Sequence, residues 1–333
     1  GKRTLSQWVK FANSLRLRLA IRVSMSAPDL ARAEVAKAMD ATAGGVLESA
    51  DETVAVSTES GYKNPLGTVN EGWGEVFMGA TMESVLVGYN DPRLIKYYSK
   101  AEGGDIKDEK GNLIIAERNK IAGTYKGVPQ GTGVTVKDEN RYRLHSKSTI
   151  TKQTDAILMT AAEVWFLRAE AALRGFTSEN VKDCYEKGIT VSCQQWGVNV
   201  GDYLTSDATP SDYVDAFEAK YDVKALIKVT PKWDGGASPE EQLERILTQK
   251  WIACYPEGYE AWTEQRRTGY PQLFKVFVNN SGGAIDTNIR IRRLPYPSDI
   301  QKNNPTQYSA LKKALGGEDN GGTRLWWDTG RNF

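Results

Sequence analysis

Apolar residues return every three or four positions from Trp8 onward: Trp8, Phe11, Ala12, Leu15, Leu19 and Val23. That spacing draws one stripe along an α-helix, with Arg16, Arg18 and Arg22 on the remaining faces. Thr4 and Gln7 stand three apart just before it, the pattern of a capping box. Pro28 and Asp29 open a second run that stops near Gly44-Gly45, so a helical hairpin is predicted over 5–42. The unit returns over 155–196. Its first helix places Ile157, Ala161, Trp165, Ala169 and Ala172 on one face; its second carries Val181, Cys184, Tyr185, Gly188 and Ile189. A third is predicted over 239–265, with Ser238 as N-cap, Pro239 in the first helical position and Glu241 closing the box. Leu243, Ile246, Leu247, Trp251 and Cys254 follow on its apolar side.

Small residues where helices would cross, such as Ala162, Ala169 and Gly188, make these hairpins similar to tetratricopeptide repeats of about 34 residues. The hairpins are not contiguous. Irregular segments at 46–154, 197–237 and 266–333 separate and follow them, the first dense in Gly, Asn, Pro and Tyr. Loops of such length inside a domain are usually tied to function. The expected fold is therefore mainly α: one domain of tetratricopeptide-like helical hairpins packed against an irregular, loop-rich lobe. The lobe is where a site is expected.

Charge narrows the partners. Lys and Arg total 43 against 42 Asp and Glu, and no basic run breaks the balance, so nothing favours nucleic acid. With a single histidine, His145, the chain lacks the partners that a His-based zinc site, a two-histidine iron site and most Ser-His triads need. Cys184, Cys193 and Cys254 lack CxxC spacing and read as small core residues. No metal or organic cofactor is expected. Asp105, Asp108 and Gly111 miss the alternating spacing of a calcium loop and predict a plain turn around Lys110-Gly111-Asn112. No run approaches the ~18 apolar residues of a membrane helix.

Seven strings, in order along the chain, carry a family resemblance: WVKFANSLRLRLAIRVS (8–24), NDPRL (90–94), GTYKGVPQG (123–131), AEVWFLRAEAALRG (162–175), ILTQKWIACYPEGYEAWTEQRRTGYPQL (246–273), RRLPYPSD (292–299) and NGGTRLWWD (320–328). Together they resemble the SusD/RagB family of nutrient-binding lipoproteins, in its SusD-like branch. The resemblance implies the helical and irregular halves described above. It also implies an outward-facing lipoprotein of the outer membrane, which binds a glycan or other nutrient in its loops. Its partner would be a SusC-like TonB-dependent transporter. The family's N-terminal region, with its signal peptide, lipidated cysteine and first helices, has no counterpart here. The chain opens on Gly1 and enters a helix at once, so the expectation is a C-terminal part.

Nine tryptophans are generous for this length, and glycan sites use exposed rings as platforms with amides reading hydroxyls. Trp8, Trp165 and Trp251 fall on helical apolar faces and are expected in the core, while Trp262, Trp326 and Trp327 are expected to pack structurally. Trp196 and Trp233, each beside a glycine, are weaker platform candidates. Trp73 sits between Gly72 and Gly74 with no helical or strand pattern around it. It is the leading ligand-binding candidate, with Tyr62, Asn64 and Asn70 nearby, followed by Tyr125 and Gln130. Arg266-Arg267 and Arg292-Arg293 could grip an oxyanion but are expected to form ion pairs. Glu71, Glu75, Asp91, Asp105 and Asp108 could supply a glycosidase pair, though nothing in their placement singles out two. The expected function is non-catalytic glycan capture. A peptide-binding helical scaffold is the alternative, and a glycoside hydrolase the third.

Overall fold

The computed structural model describes residues 4–133 and 140–333; residues 1–3 and residues 134–139 of the first irregular segment lie outside them. Helices dominate it. α1 (Leu5–Arg22) and α2 (Pro28–Ala38) pack together, followed by β1 (Val54–Val56), α3 (Pro65–Thr68), α4 (Ala80–Gly88), α5 (Leu94–Tyr97), β2 (Ile106–Lys107) and β3 (Leu113–Ile115). Then come β4 (Ala156–Met159), α6 (Ala161–Leu173), α7 (Val181–Gln195), α8 (Pro239–Ala253), α9 (Gly258–Thr268), α10 (Ser298–Asn303) and α11 (Pro305–Leu315).

The capping box of α1 forms: Thr4 Oγ1 accepts from the Gln7 N–H at 3.3 Å, and Gln7 Oε1 from the Thr4 N–H at 2.9 Å. The buried face of α1 differs from its apolar stripe. Asn13, Ser14, Leu17, Ala20 and Ile21 are buried, whereas Trp8 and Leu19 stand 51% and 52% exposed. Backbone demand explains the shift. The Asn13 amide donates to the carbonyls of Ala43 and Gly45, and Ser14 Oγ accepts from the Leu47 N–H. These are loop groups without a helical or strand partner, so polar side chains must meet them inside.

A second correction falls at the start of α6. Residues 156–159, placed in a helix by their apolar spacing, form β4 and pair antiparallel with β1. The helix starts after Thr160, whose hydroxyl accepts from the Glu163 N–H at 3.0 Å and caps it. The segment 239–265 likewise holds two helices. α8, capped by Ser238 and Glu241, ends at Ala253, and Pro256 lies in the break before α9.

Two buried charge clusters tie these parts together. Arg18 meets Glu163 at 2.6 Å, and Lys250 meets Glu260 at 3.0 Å and Glu264 at 3.3 Å. Arg267 bridges Glu264 at 2.6 Å and Glu170 at 2.7 Å. Four helices, α1, α6, α8 and α9, are thus joined by ion pairs. Burial opposes ionisation of Glu264, but Arg267 and Lys250 outweigh it and hold its carboxyl well below the usual range. The second cluster explains NDPRL. Arg93 is fully buried, paired with Asp91 at 2.6 Å, and donates to Ser192 Oγ on α7 and Gln249 Oε1 on α8. Tyr203 donates to the same Asp91 carboxylate at 2.7 Å. Here the loop lobe is pinned to the helices.

Within the lobe, β2 and β3 pair around a turn whose Gly111 adopts φ +83°, with Asp108 accepting from the Lys110 and Asn112 N–H groups. His145 is buried, its Nδ1 2.9 Å from the Gly127 carbonyl, and burial pushes its pKa down to about 4.

Candidate ligand-binding site

Trp73 closes a widened helical turn, Val69–Trp73, that ends at Gly74 in the left-handed conformation. Its ring is 61% exposed and meets no other ring or cation among the described residues. Tyr62, on the same stretch, is 39% exposed. The two asparagines have another task. Asn64 is buried, donates to the Thr154 carbonyl at 3.0 Å and accepts from the Leu66 N–H at 3.0 Å, capping α3. Asn70 Nδ2 donates to the carbonyls of Ser148 (2.7 Å) and Ile150 (2.8 Å). Their amides, expected to read ligand hydroxyls, instead satisfy the irregular backbone of 148–154, which has no ladder of its own. The result is a fixed base beneath an exposed ring.

Tyr125 and Gln130 lie elsewhere. Tyr125 is half-buried against the main core and lines a hollow of about 880 Å³ with Asn90, Ile95 and Asn199. Gln130 is exposed and lines a different groove, where its Oε1 accepts from Arg290 Nη1 at 2.7 Å. The six candidates therefore divide among three places, and Trp73 lines neither hollow.

The groove itself was not visible in sequence. It encloses about 680 Å³ between α9 and the chain from Leu273 to Ile291. Gly258, Ala261, Trp262 and Gln265 of α9 face it at helical spacing, across from Phe274 and Asn279. Trp262, expected to be packing, holds Arg266 3.7 Å from its ring centroid, and its Nε1 donates to the Ile291 carbonyl at 3.1 Å. The same ring lines an adjoining hollow with Leu66, Ile157 and Tyr259, the last 76% exposed. Tyr259 and Trp262, three apart on one helix, were the sequence signal that could have found it. Trp326 is 68% exposed rather than packed, while Trp196 meets Tyr97 edge to face and Trp233 lies tilted against Tyr185, both on the core.

The acidic candidates are mostly occupied. Asp91 pairs with Arg93, Asp108 caps a turn, Asp105 accepts from the Glu117 N–H, and Glu71 accepts from the Lys152 N–H. Among the described residues no three His, Cys, Asp or Glu gather where a metal ion could be held, and no helix is long and apolar enough to cross a membrane.

A family model described as SusD-like, Susd and RagB outer membrane lipoprotein, matches residues 2–328. The chain belongs to the SusD-like family. This SusD-like chain is 52% identical to a SusD homologue from Bacteroides vulgatus, with a TM-score of 0.90, covering 99% of this chain and 64% of that one. A chitin-binding SusD homologue from Flavobacterium johnsoniae is 37% identical, with a TM-score of 0.86 and coverage of 98% and 64%. A third, from Bacteroides thetaiotaomicron, is 34% identical, with a TM-score of 0.86 and coverage of 98% and 66%. The SusD-like chain thus spans about two thirds of the length of these relatives. No curated protein matches it.

Proposed function

We propose that this SusD-like chain belongs to an outward-facing outer-membrane lipoprotein that captures a glycan in its loop lobe. It then passes the glycan to a SusC-like TonB-dependent transporter, with no catalysis. The observation that carries the reading is the groove beside α9. Its aromatic wall, Trp262 and Phe274, stands beside the amides of Gln130 and Gln265, the mix of apolar face and placed polar groups that sugar rings require. Trp73 is assigned a platform role, with Tyr62 a second exposed ring on the same irregular segment. The chitin-binding relative supports a sugar ligand. The peptide-scaffold reading is disfavoured because loop-lobe side chains occupy α7 and α8: Arg93 reaches Ser192 and Gln249 there.

Isothermal titration against chito-oligosaccharides, starch oligosaccharides and plant-wall oligosaccharides tests this. Saturable binding of at least one, with no release of reducing ends, is the expected result. Binding of none, or steady release of reducing ends, overturns it.

A further inference from the structure

On the other side of Gln265 and Leu273, which line both spaces, lies a second hollow of about 500 Å³. Its charged lining is entirely basic: Arg266, Arg267, Lys275, Arg292 and Arg324. Their counter-charges fall short. Arg267 has Glu170 and Glu264, but Arg292 and Arg324 share a single carboxylate, Asp328. Lys275 is exposed and forms no ion pair among the described residues; its Nζ lies 5.0 Å from the Phe277 ring centroid.

Arg266 is the most telling of the five. It is 8% exposed and has no carboxylate partner among the described residues. Nη1 donates to the Arg292 carbonyl at 2.6 Å and Nη2 to Thr263 Oγ1 at 3.1 Å, while Nε has no partner among the described residues. Trp262 and Trp327 flank the guanidinium, 3.7 Å and 5.0 Å from its carbon to their centroids. Ring faces offset part of the lost hydration, and Asp328 and Glu260 act on the guanidinium only from beyond ion-pair distance, so the buried charge stays costly. Burial, then the nearby Arg292 and Arg22 guanidiniums, push its pKa down to about 10.

We propose that this hollow is an oxyanion subsite that takes the carboxylate or sulfate group of an acidic sugar whose chain continues into the groove beside α9. Guanidinium forks match such planar or tetrahedral oxyanions with paired N–H donors. The assignment rests on the glycan-binding reading and gives its ligand a charge.

The test titrates the protein at low and high salt with four probes. These are a neutral chito-oligosaccharide, an oligogalacturonate and a sulfated oligosaccharide of equal length, and sodium sulfate alone. At least one acidic oligosaccharide should bind about tenfold or more tighter than the neutral one, with the gain lost at high salt. Lys275→Met should remove most of that gain and leave the neutral sugar unaffected; Arg266→Gln should also remove most of that gain. Lys275 is exposed, so its variant keeps the test valid even if Arg266→Gln fails to fold. Neutral and acidic sugars binding alike overturns the subsite while leaving glycan capture intact, as does a gain insensitive to Lys275→Met. Sodium sulfate binding as tightly as the acidic sugars marks an adventitious ion only and overturns the sugar assignment. Binding of no sugar at all overturns both readings.

Discussion

In the helical half Arg267 is buried against Glu170 and Glu264; in the loop lobe Asn64 is buried against the backbone of Leu66 and Thr154. Helices satisfy their own N–H and C=O groups, so polar side chains that enter between them must find one another, and they do so as ion pairs. An irregular chain has no such ladder. Its backbone draws on side chains, and Asn64, Asn70, Glu71, Asp108 and Asp215 are all taken up in this way. The difference decides what is left for a ligand. In the lobe, the polar residues near the surface are largely occupied, while aromatic rings such as Trp73 and Trp326 remain exposed.

The comparison is broken most directly at Arg267. Arg267→Met takes one cation from each of two buried carboxylates, leaving Glu170 to Arg174 and Glu264 to Lys250, and should cost about 3–5 kcal/mol in urea unfolding. A loss under about 1 kcal/mol would mean that the network is wet and the two halves are stabilised alike. Next comes pH. His145 is neutral in the fold, its pKa depressed to about 4, against an ordinary value of 6.5. The unfolded chain takes up the proton first, so stability is full above pH 6.5 and falls as pH drops toward about 4. The loss is roughly 3 kcal/mol, an order-of-magnitude figure. His145→Gln should flatten that limb of the pH–stability curve; an unchanged slope would assign it to other groups. Asn64→Ala ranks third, at about 1–2 kcal/mol, through a lost cap and an unpaired carbonyl. An unchanged melting temperature would show that the amide is free for other use.

How far the sequence could be read follows the same division. The capping boxes Thr4–Gln7 and Ser238–Glu241 were legible because both partners lie within one turn. The mainly α fold and the family followed from such local patterns. What failed depended on distant backbone. Trp8 lost its core position to Asn13 and Ser14, because the loop at 43–47 needed partners thirty residues away. Ile157 became strand because β1, a hundred residues earlier, pairs with it. In the candidate site, the exposure of Trp73 followed from its flanking glycines, but the engagement of Asn64 and Asn70 depended on carbonyls at 148–154. Trp262 was assigned to packing because its helical spacing says nothing about the chain from 273 to 291 that stands across from it. Of the paired arginines, Arg267, Arg292 and Arg293 do form ion pairs, and Arg266 forms none among the described residues.

Trp73→Ala should have the smallest effect on stability and a large one on affinity. The ring is 61% exposed and packs on no other ring, so its removal uncovers little that the fold had buried. Surface changes of this kind usually stay within about 0.5 kcal/mol. The segment that carries it is fixed from below by Asn64, Asn70 and Glu71, none of which the substitution touches. A ring held in place before the ligand arrives loses little further freedom on binding, so its contact area is realised as affinity. Loss of such an aromatic contact typically weakens binding by ~1–3 kcal/mol. Titration of the wild type and Trp73→Ala with the same glycan, alongside their melting curves, separates the outcomes. A large fall in affinity at constant melting temperature places Trp73 in the site. Unchanged affinity with Trp73→Ala, together with a loss on Gln265→Ala, would confine the ligand to the groove beside α9.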